Sequence, residues 1–441
     1  MAIPESAITN LTSRKHLLRN SIINLLGDGA PFVVAVIAIP RLIDALGTAR
    51  FGVLTLIWMV ISYFTVFDLG VGRALTNLIS RELGKGDETS IGPLAWTAIM
   101  LTAGLGTLGG ILLAGCSHWL VYSVLRVPES LCPETVRAFQ LFAISIPAVL
   151  TTTGFRGILE AYHRFDIAVS IRGPMTAYNF GAPLAVLPFS HSLVPIIVVL
   201  LVGRYVSLLL HFTACITMFQ PLRPIFQWRT ATLSPLLTFG GWLTVSNVIT
   251  PVMSGMDRFL VGALVSIQAV AYYATPYEII TKLLIVSGAV GGVFFPTFSS
   301  VLMSDVPRTS QIYARATRFL VFLLLPTTVL AIILARPGLR LWLGQDFASH
   351  STLVLQILSI GVMMNALASL PYALVQGAGR ADWTAKMHMV EMPVYLGVFW
   401  LLTTRFNIVG AAIAWAVHTT LDLIILRSMA RRVLTARLPT L

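Results

Sequence analysis

Charge is what this 441-residue sequence has least of: Asp, Glu, Lys and Arg together make up 11% of it, against about a quarter in ordinary soluble domains. With 56% hydrophobic residues and a mean hydropathy of +0.84, that scarcity excludes a water-soluble globule. Cysteine is nearly as rare. Cys116, Cys132 and Cys215 form no metal-ligand spacing, which excludes a disulfide framework or a zinc module. Cys116 and Cys132 both fall toward the expected outer side, where one bridge between them stays open. Enzyme signatures are missing too. There is no HExxH, CxxC or GxSxG, and no connection exceeds about 16 residues, too short to fold into a catalytic domain. No enzymatic activity, cofactor or metal is therefore expected. The one literal hit, GLGTLGG with Gly104, Gly106 and Gly109 in GxGxxG spacing, lies inside an apolar helix without a preceding strand. Gly106 and Gly110 read instead as GxxxG, a device for close helix packing.

What is present in quantity is apolar runs long enough to cross about 30 Å of hydrocarbon. About twelve are expected, near residues 17–39, 51–77, 94–122, 136–158, 173–189, 193–219, 233–255, 268–298, 314–335, 351–375, 385–403 and 408–427. The basic, then apolar, N-terminus is too long for a secretory signal and reads as a retained first span. With that terminus inside, twenty of the thirty Lys and Arg residues fall on the inner side and eight on the outer, while Arg204 and Lys282 lie within spans. Both termini are thus expected in the cytoplasm. The formal charge of +12 is spread over short cytoplasmic loops, so no nucleic-acid partner is expected.

Pro31 and Pro251 stand 220 residues apart, and at the same offset Ser80, Thr89 and Ser90 meet Ser300, Thr309 and Ser310. This fits two six-helix bundles of one orientation, residues 1–219 and 233–441, joined by a cytoplasmic linker at 220–232, with a pathway between them. The expected fold class is all-α.

Ionisable residues inside spans cost several kcal/mol unless a cavity or a partner meets them, so they are the candidates for function. Asp28 lies near the middle of the first span and Asp68 in the inner half of the second. Asp68 and Arg73 are five residues apart, about 140° round a helix, so each needs a partner elsewhere. Arg204 and His211 share one face of the sixth span. Glu278 and Lys282 are i and i+4 on the eighth, as are His418 and Asp422 on the twelfth, while His388 and Glu391 enter the eleventh from inside. Plain readings compete: Arg73 snorkels, His388 and Arg156 are boundary residues, and the i,i+4 pairs are structural. Asp28, Arg204 and Lys282 resist them, because snorkelling from the midplane would span about half the bilayer.

Central cations suit an anionic group such as a phosphate, so Arg204 and Lys282 are expected to clamp the substrate. Asp28, Asp68 and Glu278 are then candidates to carry a coupling H+ or Na+. Tyr273 and Tyr277, in YYATPYEIITK, offer aromatic faces suited to sugar rings, with Pro276 breaking the helix beside them. For Tyr272 and Tyr273 the outer aromatic belt is the competing reading. Arg73, His211, Glu391, His418 and Asp422 are secondary candidates.

PRLIDALGTARFGVLTL and FDLGVGRALTNLISRELGKGD in the first half resemble the polysaccharide flippases. So do DRFLVGALVSIQAVAYYATPYEIITKLL, FFPTFS and LRLWLGQDFA in the second. These flippases are the O-antigen-type members of the multidrug/oligosaccharidyl-lipid/polysaccharide exporter (MOP) superfamily. The resemblance runs through nearly the whole chain and implies a MATE-like pair of six-helix bundles. It also implies an inward-open to outward-open cycle that moves an undecaprenyl-pyrophosphate-linked oligosaccharide across a bacterial inner membrane. Membrane lipids and other polysaccharide-assembly proteins are the further partners it implies. Twelve spans rather than fourteen make the lipid II flippase branch less similar. Two alternatives remain: an ion-coupled multidrug exporter, whose cavity would be acidic or apolar, and a membrane glycosyltransferase or polymerase, which the missing loop domain disfavours.

Overall fold

The computed structural model describes residues 14–66, 71–85, 89–162, 164–223, 256–285, 287, 306–378 and 380–435, and among these every regular element is helical. Six described helices are long and apolar enough to cross a bilayer. The chain divides into two compact units, Met1–Val252 and Met253–Leu441.

Unit 1 comprises α1 (Arg14–Val66), α2 (Val71–Lys85), α3 (Ile91–Trp119), α4 (Cys132–Ala143), α5 (Ile146–Ala161), α6 (Phe165–Val186) and α7 (Leu193–Met218). At 1.5 Å per residue the 26 residues of α7 run about 39 Å, more than the hydrocarbon thickness. At its C-terminal end α7 joins a core in which Ala95, Trp96, Phe155, Ile158 and Cys215 are buried. The outward faces are also apolar: Leu108, Ile111 and Leu112 of α3 and Leu209 of α7 are all more than half exposed. Water would penalise such a surface, whereas acyl chains do not.

α5 is the hub, packed against α1, α2, α3, α6 and α7. Small residues permit this. A Cβ on Gly106 of α3 would lie 2.6 Å from the Pro147 Cα, and one on Gly110 would lie 2.7 Å from the Ala143 carbonyl oxygen, so the GxxxG spacing does bring backbones together. Thr151, Thr152 and Thr153 of α5 donate back to carbonyls one turn earlier, which removes the cost of burying their hydroxyls. Inside α6, Pro174 and Pro183 each remove a helical N–H.

The two ends of unit 1 are fastened by charge. On the expected outer side, Glu134 accepts from Arg50 Nε (3.0 Å), Ser192 Oγ (2.7 Å) and the Leu193 amide (2.6 Å), tying α1, α4 and the start of α7 together. On the inner side, Arg164 donates two 3.0 Å hydrogen bonds to Asp166. That contact holds the Asp166 carboxyl below its ordinary value. Cys116 and Cys132 are both free thiols, so no bridge joins them.

Unit 2 is built on α8 (Ile267–Ile280), α9 (Val306–Gly377) and α10 (Ala381–Thr435). The last two are each a pair of spans. α9 breaks at Gly344 (φ 86°), and Gln356 Nε2 donates to the Ile332 carbonyl at 3.1 Å; the two lie twelve residues either side of the break, so the chain doubles back. Glycine is required there, since a Cβ opposes the left-handed region. α10 breaks at Asn407, whose φ of 52° is non-helical. The core of unit 2 joins Leu320 and Leu324 of α9 to Leu370 and Leu374 beyond its break, and to Leu426 and Val433 of α10.

Candidate functional site

Three helices of unit 1 line one cavity, each with residues about one turn apart on a single face. α5 supplies Val149, Thr152, Thr153 and Arg156; α6 supplies Arg172, Met175, Thr176 and Asn179; α7 supplies Arg204, Ser207 and His211. The i, i+3/4, i+7 recurrence on each helix is what aims these side chains at a common space of about 120 Å³. Three arginines and a histidine line it, and among the described residues no carboxylate does.

Depth follows from helix position. Arg204 lies eleven residues into α7, about 16 Å from its outer end, whereas Arg172 is seven residues into α6 from the inner end. The cavity thus reaches from about the middle of α7 toward the expected inner side, with Arg204 at the end farthest from that side. Arg204 Nη2 donates to Asn179 Oδ1 at 2.9 Å, and its buried Nε has no hydrogen-bond partner among the described residues. A neutral amide cannot cancel a guanidinium charge, and a buried unmet donor costs about 1–3 kcal/mol. His211 is buried, and its Nδ1 donates to the Ser207 carbonyl at 2.8 Å, which leaves Nε2 for a ligand. Arg156 pairs with Glu160 at 3.5 Å, one turn on along α5 and outside the lining.

Unit 2 treats its charges differently. Glu278 pairs with Arg258 Nη2 at 2.6 Å and with Lys282 Nζ at 3.6 Å, so the anticipated partner is present but a second, closer one holds the carboxylate. Tyr273 is fully buried and donates to Asp257 Oδ2 at 2.8 Å, and the buried Tyr277 lies against Trp415 with Arg258 over its ring at 4.9 Å. As placed, both tyrosines pack within the unit. On α10, Glu391 reaches His418 Nδ1 at 2.9 Å and His388 Nδ1 at 3.4 Å, with Asp422 beside them.

A family model described as "Polysaccharide biosynthesis protein" matches residues 41–352, most of the chain. The chain belongs to that family. With six described helices long and apolar enough to cross a bilayer, it is a multi-pass membrane protein. It is 27% identical over 416 residues to a Shigella flexneri protein named "Putative O-antigen transporter", covering 94% of this chain and 98% of that one. Its fold is that of the MATE transporters. An inward-facing multidrug resistance MATE transporter of the MOP superfamily matches with a TM-score of 0.78 at 15% identity, over 93% of this chain and 94% of that one. A MOP transporter from Pyrococcus furiosus, described as having a binding pocket of reverse polarity, matches at 0.64 with 16% identity over 95% of each chain.

Of the residues singled out in the sequence, the structure brings Arg204 and His211 into one cavity. It brings Glu278 to Lys282, and Glu391 to His418 and Asp422. Arg204 belongs to unit 1 and Lys282 to unit 2. Asp68 lies outside the described residues, as do the side chains of Asp28 and Arg73, which fall on α1 and α2. Three cavity residues of this family member escaped the sequence reading. Arg156 looked like a boundary residue, Arg172 like an inner-loop charge, and Asn179 carried no charge to draw notice. The seven-residue step from Arg172 to Asn179, matched by that from Arg204 to His211, is the signal that joins them.

Proposed function

We propose that this polysaccharide flippase carries a lipid-linked oligosaccharide on an undecaprenyl-pyrophosphate-type carrier across the bacterial inner membrane, by alternating access and without catalysis. The observation that carries the reading is the cavity of three arginines and a histidine with no acid among the described residues of its lining, reaching from mid-helix toward the expected inner side of unit 1. A pyrophosphate arriving from the cytoplasmic leaflet offers several strong acceptors to those donors, and charge-assisted hydrogen bonds gain strength away from water. The cationic lining supports an anionic cargo over the organic cations of a drug exporter, which it would repel. Lipid and sugar would extend beyond the cavity, whose volume suits a headgroup phosphate rather than a whole repeat unit.

The test is export in cells that lack their own flippase and depend on this chain. Arg204→Ala is expected to lower export by about tenfold or more, with lipid-linked sugar accumulating on the cytoplasmic leaflet, and Arg204→Lys to retain part of it because charge survives without the planar fork. Normal export by Arg204→Ala at normal membrane abundance would reject the anion site.

A further inference from the structure

The cluster on α10 has no part in the anion cavity, yet it gathers four titratable groups inside a membrane-spanning bundle. Each Glu391 oxygen faces a different ring nitrogen, Oε1 to His418 at 2.9 Å and Oε2 to His388 at 3.4 Å. Ligand atoms of His388, Glu391 and Asp422 all lie within 4.8 Å of one another. Among the described residues, Asp422 Oδ1 is buried without a hydrogen-bond partner, and the close Glu391 Oε1 and His418 Nδ1 atoms are not aligned for a hydrogen bond with each other. Among the described residues, these two imidazoles are the only cations within ion-pair distance of Glu391, and no lysine or arginine answers either carboxylate.

Groups on the packed elements do not change that account. From α9, the Tyr372 ring lies 6.4 Å from that of His388. Tyr395 of α10 lies 4.6 Å from the His418 ring. From α8, Tyr277 faces Trp415, while Tyr273 is engaged with Asp257 and Glu278 with Arg258 and Lys282. Neutral imidazoles would leave two uncompensated negative charges in the bundle, which is costly at that depth. Two added protons would bring the cluster to zero.

We propose that His388, Glu391, His418 and Asp422 form a proton-exchange site, and that loading and unloading it drives the transport cycle. Coupling in this sense rests on the transporter reading; proton binding does not. The step is simple in balance: protons pass from water to the ring nitrogens, each turning an imidazole beside a carboxylate into an imidazolium–carboxylate pair, and return to water on release. His388 is the doorway, with 24% of its side chain exposed against 12% for His418 and 11% for Glu391. Protons suit the geometry better than metal. Glu391 already sits at hydrogen-bond distance from ring nitrogen, whereas a divalent ion at about 2.0–2.2 Å from each ligand would have to wedge between them. Sodium prefers an oxygen shell, and half of these ligands are nitrogen.

The experiment counts protons taken up by the full-length chain in lipid nanodiscs as weakly buffered medium is brought from about pH 8 to about pH 5. The double amide Glu391→Gln/Asp422→Asn keeps both histidines but removes what holds their protons, and is expected to take up about two fewer protons than wild type. Equal uptake overturns the site. Should the double amide fail to fold by thermal unfolding, Asp422→Asn alone decides, with a smaller deficit expected and equal uptake again overturning the proposal. Zinc titration is the second arm: one tightly bound Zn2+ per chain, lost in His388→Ala, would replace the proton site by a metal site. Export is the third, read alongside Arg204→Ala. Normal export by the double amide would overturn coupling. An uptake deficit in a chain whose wild type moves no lipid-linked sugar would reject the function and uphold the proton site.

Discussion

The two units spend their buried charge in opposite ways. In unit 1, Arg156, Arg172, Arg204 and His211 surround a space with no acid among the described residues of its lining, and the deepest of them, Arg204, is met by a neutral amide. In unit 2, Arg258 and Lys282 close on Glu278, Asp257 takes the Tyr273 hydroxyl, and Glu391 sits between two imidazoles. The first pattern leaves the Arg204 guanidinium facing an amide rather than a carboxylate. The second closes on itself, except where titration changes its sum. Under the proposed function, cargo recognition falls to the first unit and internal balance to the second.

Substitutions can break this contrast. The largest effect is expected from placing an acid in the cavity: Asn179→Asp would give Arg204 an internal counter-ion at its present 2.9 Å contact. Unit 1 would then behave like unit 2, and export should fall by about tenfold or more, with stability unchanged or raised, since an ion pair replaces a charge–amide contact. Next comes Glu278→Gln, which strands Arg258. Thermal unfolding should show a loss of about 2 kcal/mol, short of the ~3–5 of a sealed pair because the Glu278 side chain is 44% exposed. Gly110→Leu should cost about 1–3 kcal/mol by forcing α3 away from the Ala143 carbonyl, a steric effect indifferent to charge and visible in the same melt. The smallest effect is at Arg164–Asp166, both well exposed, where Asp166→Asn should cost under about 0.5 kcal/mol. Because the folded value of Asp166 is lowered, that contribution is complete above the unfolded carboxylate value of about 3.9 and fades as pH falls through the lower folded one. A melt of the two proteins across that range should converge at the acid end.

Much of this was legible because membrane helices write strong periodic signals. The run from Leu193 to Met218 could be nothing but a span, and Gly106 with Gly110 announced a close approach that the Pro147 and Ala143 contacts bear out. Arg204 with His211, and Glu278 with Lys282, were legible as pairs on one helix, since spacing alone fixes a shared face. Contacts between helices were not. Nothing in the spacing brings Arg258 to Glu278, twenty residues away, or sets Glu391 between His388 and His418 across the Asn407 break. Tyr273 reads as an open aromatic face until the fold supplies Asp257 as its acceptor.

Asn179, the hydrogen-bond partner of Arg204, rides on α6 between Pro174 and Pro183. Neither proline can donate, so the carbonyls of Ser170 and Asn179 lose their usual helical donors, one at each flank of that short stretch. Two missing rungs make a ladder that bends more easily there than α5 or α7 on the other sides of the cavity. Stiffness in unit 1 is therefore uneven: two walls resist, and the third yields. An object pressed between Arg204 and Asn179 would do its mechanical work on α6, with the prolines as the places where the strain is relieved.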